Sequence, residues 1–367
     1  MPELFESCSL GPLSLPNRFV RSATHEACAG EDGSVTPRLC SLLAEVARGG
    51  AGLVVSGFAS VSAAGRVRAR QLAAHEDRFI PGLADLARAV HDAGGKLALQ
   101  GAHGGAAIRT PAPGQDIIGP DARGAGGSFP CRAATAEDLR QVARDFGRAA
   151  ARAREAGCDA FQLHAAHGYM LSQFLSPALN HRADGYGGTV ENRVRLACEA
   201  AAEVRRQAGE DFPLLVKINA EDFLEGGLAP EDSAAAALLL EQAGVHGVEL
   251  SGGSVFSATR TGASPKGFLK RAEDEVYYRE QMRLHRARLG VPLVAVGGIR
   301  SLEVAEELVR GGEADFIALC RPLISEPGLV NRWKSGDRRR ARCVSDNACR
   351  ATMDSPDGLS CATFAGR

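Results

Sequence analysis

The sequence predicts an α/β protein built as a (β/α)8 TIM barrel. Three observations carry this: eight short apolar runs rich in β-branched residues, amphipathic stretches between them, and 367 residues with 45% hydrophobic content, which suits one elaborated barrel. The candidate strands lie at 19–23, 52–57, 96–101, 158–164, 214–219, 247–250, 292–297 and 316–320. They read as near-continuous apolar segments, as parallel strands covered on both faces do. Between them, segments at 81–93, 137–156, 190–208, 230–243 and 302–310 are rich in Ala, Arg and Glu and carry a helical period. A long Gly/Pro-rich loop at 104–130 follows the third strand, and loops of that length usually carry function. No linker or shift of composition marks a second domain, so a single domain over 1–367 is expected, with about 335–367 as a carboxyl-terminal extension.

Composition narrows the partners. With 43 basic and 44 acidic side chains the net charge is -1, which leaves no footprint for nucleic acid or an anionic membrane; the expected partner is a small molecule. No apolar run approaches the roughly 20 residues a membrane helix needs, and Pro2, Glu3 and Glu6 do not open a secretion signal, so a cytoplasmic protein is expected. Homo-oligomer formation is left open. The 10 cysteines are scattered and are expected to be reduced and mostly buried.

A barrel of this kind places its chemistry at the carboxyl ends of its strands. Thr24, His25 and Glu26 follow the first strand, Gln100 and His103 mark the third, and His164, His167 and Tyr169 the fourth. Lys217 and Asn219 end the fifth, Ser251, Gly252 and Gly253 follow the sixth, Gly297 and Gly298 the seventh, and Arg321 the eighth. Two glycine pairs plus a guanidinium on the last strands suit a phosphate, since glycine lets an anion approach backbone N–H groups; a double glycine alone is more often a turn. Lys217 reads equally as a salt-bridged barrel lysine or as the partner of an anionic ligand. His164 and His167, three apart, can both donate to a carbonyl oxygen. As a metal motif H-x-x-H without a carboxylate at helical spacing is poor, so no metal is expected there.

The run at 164–193, HAAHGYMLSQFLSPALNHRADGYGGTVENR, resembles the central signature of the old yellow enzyme family. The resemblance extends to LPNRFVRSA near the start, to the Gln100 strand with His103, to VKIN around Lys217, and to VGGIR and CRPLI, and so covers almost the whole chain. It is nearest to the branch of 2,4-dienoyl-CoA and bile-acid ene-reductases. The resemblance implies bound FMN, NAD(P)H as co-substrate, and hydride transfer through flavin N5 to the activated C=C bond of an α,β-unsaturated carbonyl compound. Alternatives on the same barrel are an FMN-dependent amine demethylase or dehydrogenase, a flavin-binding redox sensor, and a flavin-free aldolase or dehydratase. It further implies Ala23, Thr24, His25, Ser60, Gln100, Lys217, Gly252, Gly253, Gly297, Gly298 and Arg321 around the flavin. His164 and His167 become the donors to the substrate carbonyl, and Tyr169 the proton donor. His25 stands where relatives commonly carry Thr or Cys, and Cys320 where they carry Gly. In the tail, Cys343, Cys349 and Cys361 resemble the stretch that holds a 4Fe-4S cluster in longer relatives, with Asp346 in place of the second cysteine. A degenerate motif without an intact cluster is expected, its cysteines covering the barrel bottom; a residual zinc or labile cluster is the other reading. Substrate choice is expected to lie at 104–130 and 256–278.

Overall fold

The computed structural model describes residues 3–124, 129–257 and 271–364. Eight parallel strands close into a barrel: Phe19–Arg21, Leu53–Val55, Lys96–Ala102, Ala160–Ala165, Leu214–Asn219, Gly247–Ser251, Leu293–Val296 and Phe316–Leu319. The eighth strand pairs with the first, Ile317 opposite Phe19 and Leu319 opposite Arg21, and this seam completes the ring. Every expected strand is present. The expected helices appear as Ile80–Asp92, Ala136–Glu155, Val190–Ala208, Pro230–Gln242 and Leu302–Arg310. Pro37–Arg48 after the first strand and Arg279–Arg286 after the sixth go beyond the sequence expectation. The first of these carries its own start signal: the Thr36 hydroxyl accepts the N–H of Leu39 at 3.2 Å, and Pro37 opens the helix.

Side chains alternate along a strand, so the inward set advances two residues at a time. The lowest inward layer, with Val20, Leu53, Ala98, Ala160, Leu215, Val294 and Phe316, packs with Leu10, Leu13 and Leu15 into an apolar plug. Those three leucines belong to an antiparallel hairpin, Cys8–Leu10 with Leu13–Leu15, that caps the amino-terminal end of the barrel. Two residues further on, the layer turns polar: Ser22, Gln100, Gln162, Lys217 and Glu249, all buried. Two further still come Thr24, His164, Asn219, Ser251 and Cys320, at the rim.

The placement of the tail corrects the expectation that its cysteines cover the barrel bottom. The hairpin fills that end with leucines, and the tail lies at the opposite one. Arg70 donates to the carbonyl oxygens of Ser355 and Pro356 at 2.6 and 2.8 Å, and the Leu359 N–H donates to the Glu26 carbonyl at 2.8 Å. No helix among the described residues is long and apolar enough to cross a membrane.

Candidate active site

One chain of hydrogen bonds crosses the polar layer. The Lys217 ammonium, 3% exposed, lies 2.9 Å from the Glu249 carboxylate and donates to the Ser22 hydroxyl at 2.7 Å. Ser22 donates to the same carboxylate, Gln162 Nε2 to its other oxygen at 2.9 Å, and Gln100 Nε2 to Gln162 Oε1 at 2.7 Å. Of the two readings of Lys217, the geometry realises the salt bridge, with a partner that the sequence reading lacks. Burial pushes the Glu249 carboxyl up, but Lys217 and the bonds from Ser22 and Gln162 outweigh it and hold the group below the usual range. Glu249 is therefore ionised, and its carboxylate sits directly against the Lys217 ammonium. Gln100 keeps its carbonyl oxygen and one amide hydrogen, Lys217 one N–H; these suit the mixed donor and acceptor edge of a flavin pyrimidine.

Above this layer the fourth strand delivers three rings. The His164 and His167 centroids are 5.3 Å apart with perpendicular planes, and His164 meets Tyr169 at 4.9 Å. The chain turns sharply between them, with φ of 62° at His167 and 82° at Gly168, where a Cβ would come within 2.5 Å of Ser254 Oγ. Only glycine fits that second position. The turn is held by the His167 N–H donating to Asn219 Oδ1 at 3.0 Å. His164 Nδ1 accepts the Ala166 N–H at 3.3 Å, which leaves the proton of a neutral ring on Nε2. His167 Nε2 pairs with the Ser251 hydroxyl at 2.8 Å. Burial, then His167 and Lys217, push His164 well below its ordinary pKa; burial, then Lys217 and Arg350, push His167 down to about 3. Both are neutral donors at pH 7. Burial raises the Tyr169 phenol against the opposing pull of Arg68 and Arg109, so it keeps its proton. His167 and Tyr169 face a cavity of about 540 Å³, whose wall also carries Val67, Arg68, Arg109 and Arg350.

The expected flavin set divides. His25 packs on Phe58 at 5.2 Å, beside the Tyr169 ring, and is pushed to about 4 by burial and by Arg68 and Arg70. Thr24 lies 3.0 Å from Cys320 Sγ and donates to the Ser22 carbonyl, while Ala23 packs on the apolar plug. Ser60 is tied into the fold: its N–H donates to the Leu72 carbonyl, its carbonyl accepts the Ala74 N–H, and its hydroxyl pairs with His75 Nδ1 at 3.3 Å. The glycine pairs are likewise split. A Cβ on Gly252 would meet the Tyr278 ring at 2.7 Å and one on Gly297 would meet Tyr277 at 3.2 Å, so tyrosine packing already explains both, and the Gly253 N–H is taken by Glu221. Gly298 differs: its φ is 77°, and its N–H has no hydrogen bond among the described residues. With Arg321, whose guanidinium donates to Asn347 at 2.8 Å and to the Tyr277 hydroxyl at 3.1 Å, it forms a donor set that fits a phosphomonoester. His103 serves the fold, accepting the Gly105 N–H at 3.1 Å, and Glu26 pairs with Arg21 at 2.8 Å.

In the tail, Cys343, Asp346, Cys349 and Cys361 line one small cavity beside Arg321, and among the described residues no group of three or more His, Cys, Asp or Glu is arranged to hold a metal. Asp346 accepts the N–H of Ala348 at 3.1 Å and the Thr363 hydroxyl, as the cap of a local turn. Burial and the neighbouring Cys320 and Cys343 push the Cys349 thiol up to about 11. Of the segments expected to set substrate choice, 125–128 and 258–270 lie outside the described residues.

Comparison with known proteins agrees with this architecture. The profile of the NADH:flavin oxidoreductase / NADH oxidase family matches residues 3–339. The chain is 35% identical over 356 residues to an NADH oxidase of Thermoanaerobacter brockii, covering 94% of this chain and 53% of that protein, so it spans about half the length of that relative. It is 32% identical over 378 residues to a 4,4'-dithiodibutanoate disulfide reductase of Rhodococcus erythropolis, covering 96% and 93%. Among solved structures, morphinone reductase in complex with tetrahydroNAD superposes with a TM-score of 0.76 at 26% identity over 94% of each chain.

Proposed function

Because the chain belongs to the NADH:flavin oxidoreductase / NADH oxidase family, the family of the old yellow enzymes, and so is an oxidoreductase that uses FMN with NAD(P)H, we propose that it reduces the C=C bond of an α,β-unsaturated carbonyl compound. The observation that carries this reading is the grouping of two neutral imidazoles and a protonated phenol at one rim of the barrel, His164 lying 5.3 Å from His167 and 4.9 Å from Tyr169. When bound, FMN accepts hydride from NAD(P)H and supplies it to the β-carbon of the alkene. Reduction at that carbon builds charge on the carbonyl oxygen. His164 Nε2–H and a ring N–H of His167 are the donors that stabilise it, and preorganised donors of this kind are worth about 3 to 4 kcal/mol. Neutrality matters here, since the fixed tautomer of His164 keeps a donor in place. Tyr169 then gives its phenolic proton to the α-carbon. At the other end Gly298 and Arg321 hold the phosphate, and Gln100 and Lys217 the pyrimidine edge.

The test is to purify the protein, identify its flavin, reduce it anaerobically with NADH or NADPH, and mix it with enones, nitroalkenes, amines and 4,4'-dithiodibutanoate, the disulfide in the name of the Rhodococcus relative. Enone reoxidation of the flavin is the expected result. Amine turnover with no enone reduction would select the dehydrogenase reading, and a colourless protein would overturn the flavin site.

A further inference from the structure

Arginines across the surface of this protein are mostly paired with carboxylates: Arg132 contacts Asp116 and Asp138, Arg279 contacts Glu307 and Glu313, and Arg338 contacts Glu303 and Glu306. At the mouth of the cup this stops. Arg68 and Arg109 enter no ion pair among the described residues, although both lie on the wall that carries His167 and Tyr169. Arg109 gives one N–H to the Val255 carbonyl at 3.1 Å and stacks over Phe129 at 4.7 Å, which fixes its plane and leaves its other donors open. The Arg68 side chain makes no hydrogen bond among the described residues. Arg350 joins them on the wall, whose one acidic member among the described residues is Asp354, which pairs with neither Arg68 nor Arg109. With His167 neutral, the described residues of the wall carry three guanidiniums against one carboxylate. Their field reaches the chemistry, since Arg68 and Arg109 both pull on the Tyr169 phenol.

We propose that Arg68 and Arg109 form an anion-binding pair at the mouth of the cup, and that the alkene substrate carries a carboxylate which they hold while its activating carbonyl meets the histidines. This rests on the ene-reductase reading of the cup. A guanidinium offers a planar fork that matches a carboxylate, and a cationic mouth raises the local concentration of an anion before it docks. A cavity of about 540 Å³ holds a small carboxylated enone whole. The phosphates of NAD(P)H share the same chemistry and enter by the same mouth, so the two sources must be separated.

The experiment uses the flavin-loaded protein and its Arg68→Gln, Arg109→Gln and double variants. Three probes are compared: 4-oxocyclohex-2-ene-1-carboxylate, its methyl ester, and cyclohex-2-enone. In the oxidative half-reaction the native protein is expected to prefer the acid to the ester, less so at high salt, and each substitution should lower that preference about tenfold, in line with a lost hydrogen bond to a charged group. Equal handling of acid and ester by the native protein would overturn the proposal. So would a loss confined to flavin reduction by NADH or NADPH, which would assign the arginines to the nicotinamide cofactor. If the native protein reduces none of the three, the ene-reductase reading fails, and calorimetric titration still decides the anion site: tighter binding of acid than ester, abolished in the double variant, supports it, and equal binding sinks it.

Discussion

At Tyr169 burial and charge oppose each other, and burial wins: the phenol is held above its ordinary pKa although two arginines pull it down. A group in that state gives a proton only to a base as strong as a developing carbanion. Tyr169→Phe should therefore slow enone reduction by the order of general acid catalysis, about 10² to 10⁴-fold, while flavin reduction by NAD(P)H keeps its rate. Stopped-flow measurement of the two half-reactions checks this, and equal losses in both would return Tyr169 to a packing role against Phe58. Arg321 is the matching residue at the phosphate end. Arg321→Ala should raise the FMN dissociation constant at least tenfold, measured by ultrafiltration of free flavin, because it removes the only side-chain cation of the proposed phosphate set.

The strand as an element explains which parts of the site the sequence revealed. Polar residues at strand ends stand out from apolar runs, and so His164, His167, Lys217 and Gln100 were readable. Glu249 was readable by the same rule and missed: it lies in GVELS, two residues before Ser251 on the same inward side of the sixth strand. A charge inside an apolar strand needs a partner, and Lys217 was the unpaired candidate one strand away. The tail was not readable. Arg70 fixes it through the carbonyls of Ser355 and Pro356, groups that every residue possesses, so no side-chain pattern marks where it docks. Arg350 in the cup wall escaped for the same reason. The strand layer makes its own prediction: Glu249→Gln leaves the Lys217 ammonium buried and unpaired, and breaking such a pair costs about 3 to 5 kcal/mol. Urea unfolding of the variant should show it, and a loss below 1 kcal/mol would mean that Lys217 finds another counter-charge.

For the molecule as a whole, the buried imidazoles set the acid limit. His25 and His103 are lowered to about 4 and His167 to about 3, chiefly by burial, and His164 lies well below its ordinary value. Unfolded, each titrates near 6.5, so the unfolded chain binds more protons than the fold between that value and the lowered ones. Stability is thus whole above about pH 6.5 and falls as pH drops toward 4, with Glu249, whose folded pKa is depressed, adding to the loss below about 4.5. Denaturation midpoints at pH 7.5, 6 and 5 should decline in that order; a flat series would show that the imidazoles are protonated in the fold.

The seam between the eighth strand and the first has a consequence during synthesis. Phe19 and Ile317 pair across roughly three hundred residues, so the first strand leaves the ribosome roughly 15 to 60 s before its partner at about 5 to 20 residues per second. For that interval its outer edge and the leucines of the hairpin have no barrel to enter, and the nascent chain carries a sticky open sheet. The last strand is thus also the step that hides it. A chain stalled shortly before residue 316 should recruit holdase chaperones, and one stalled once Leu319 has cleared the exit tunnel should not.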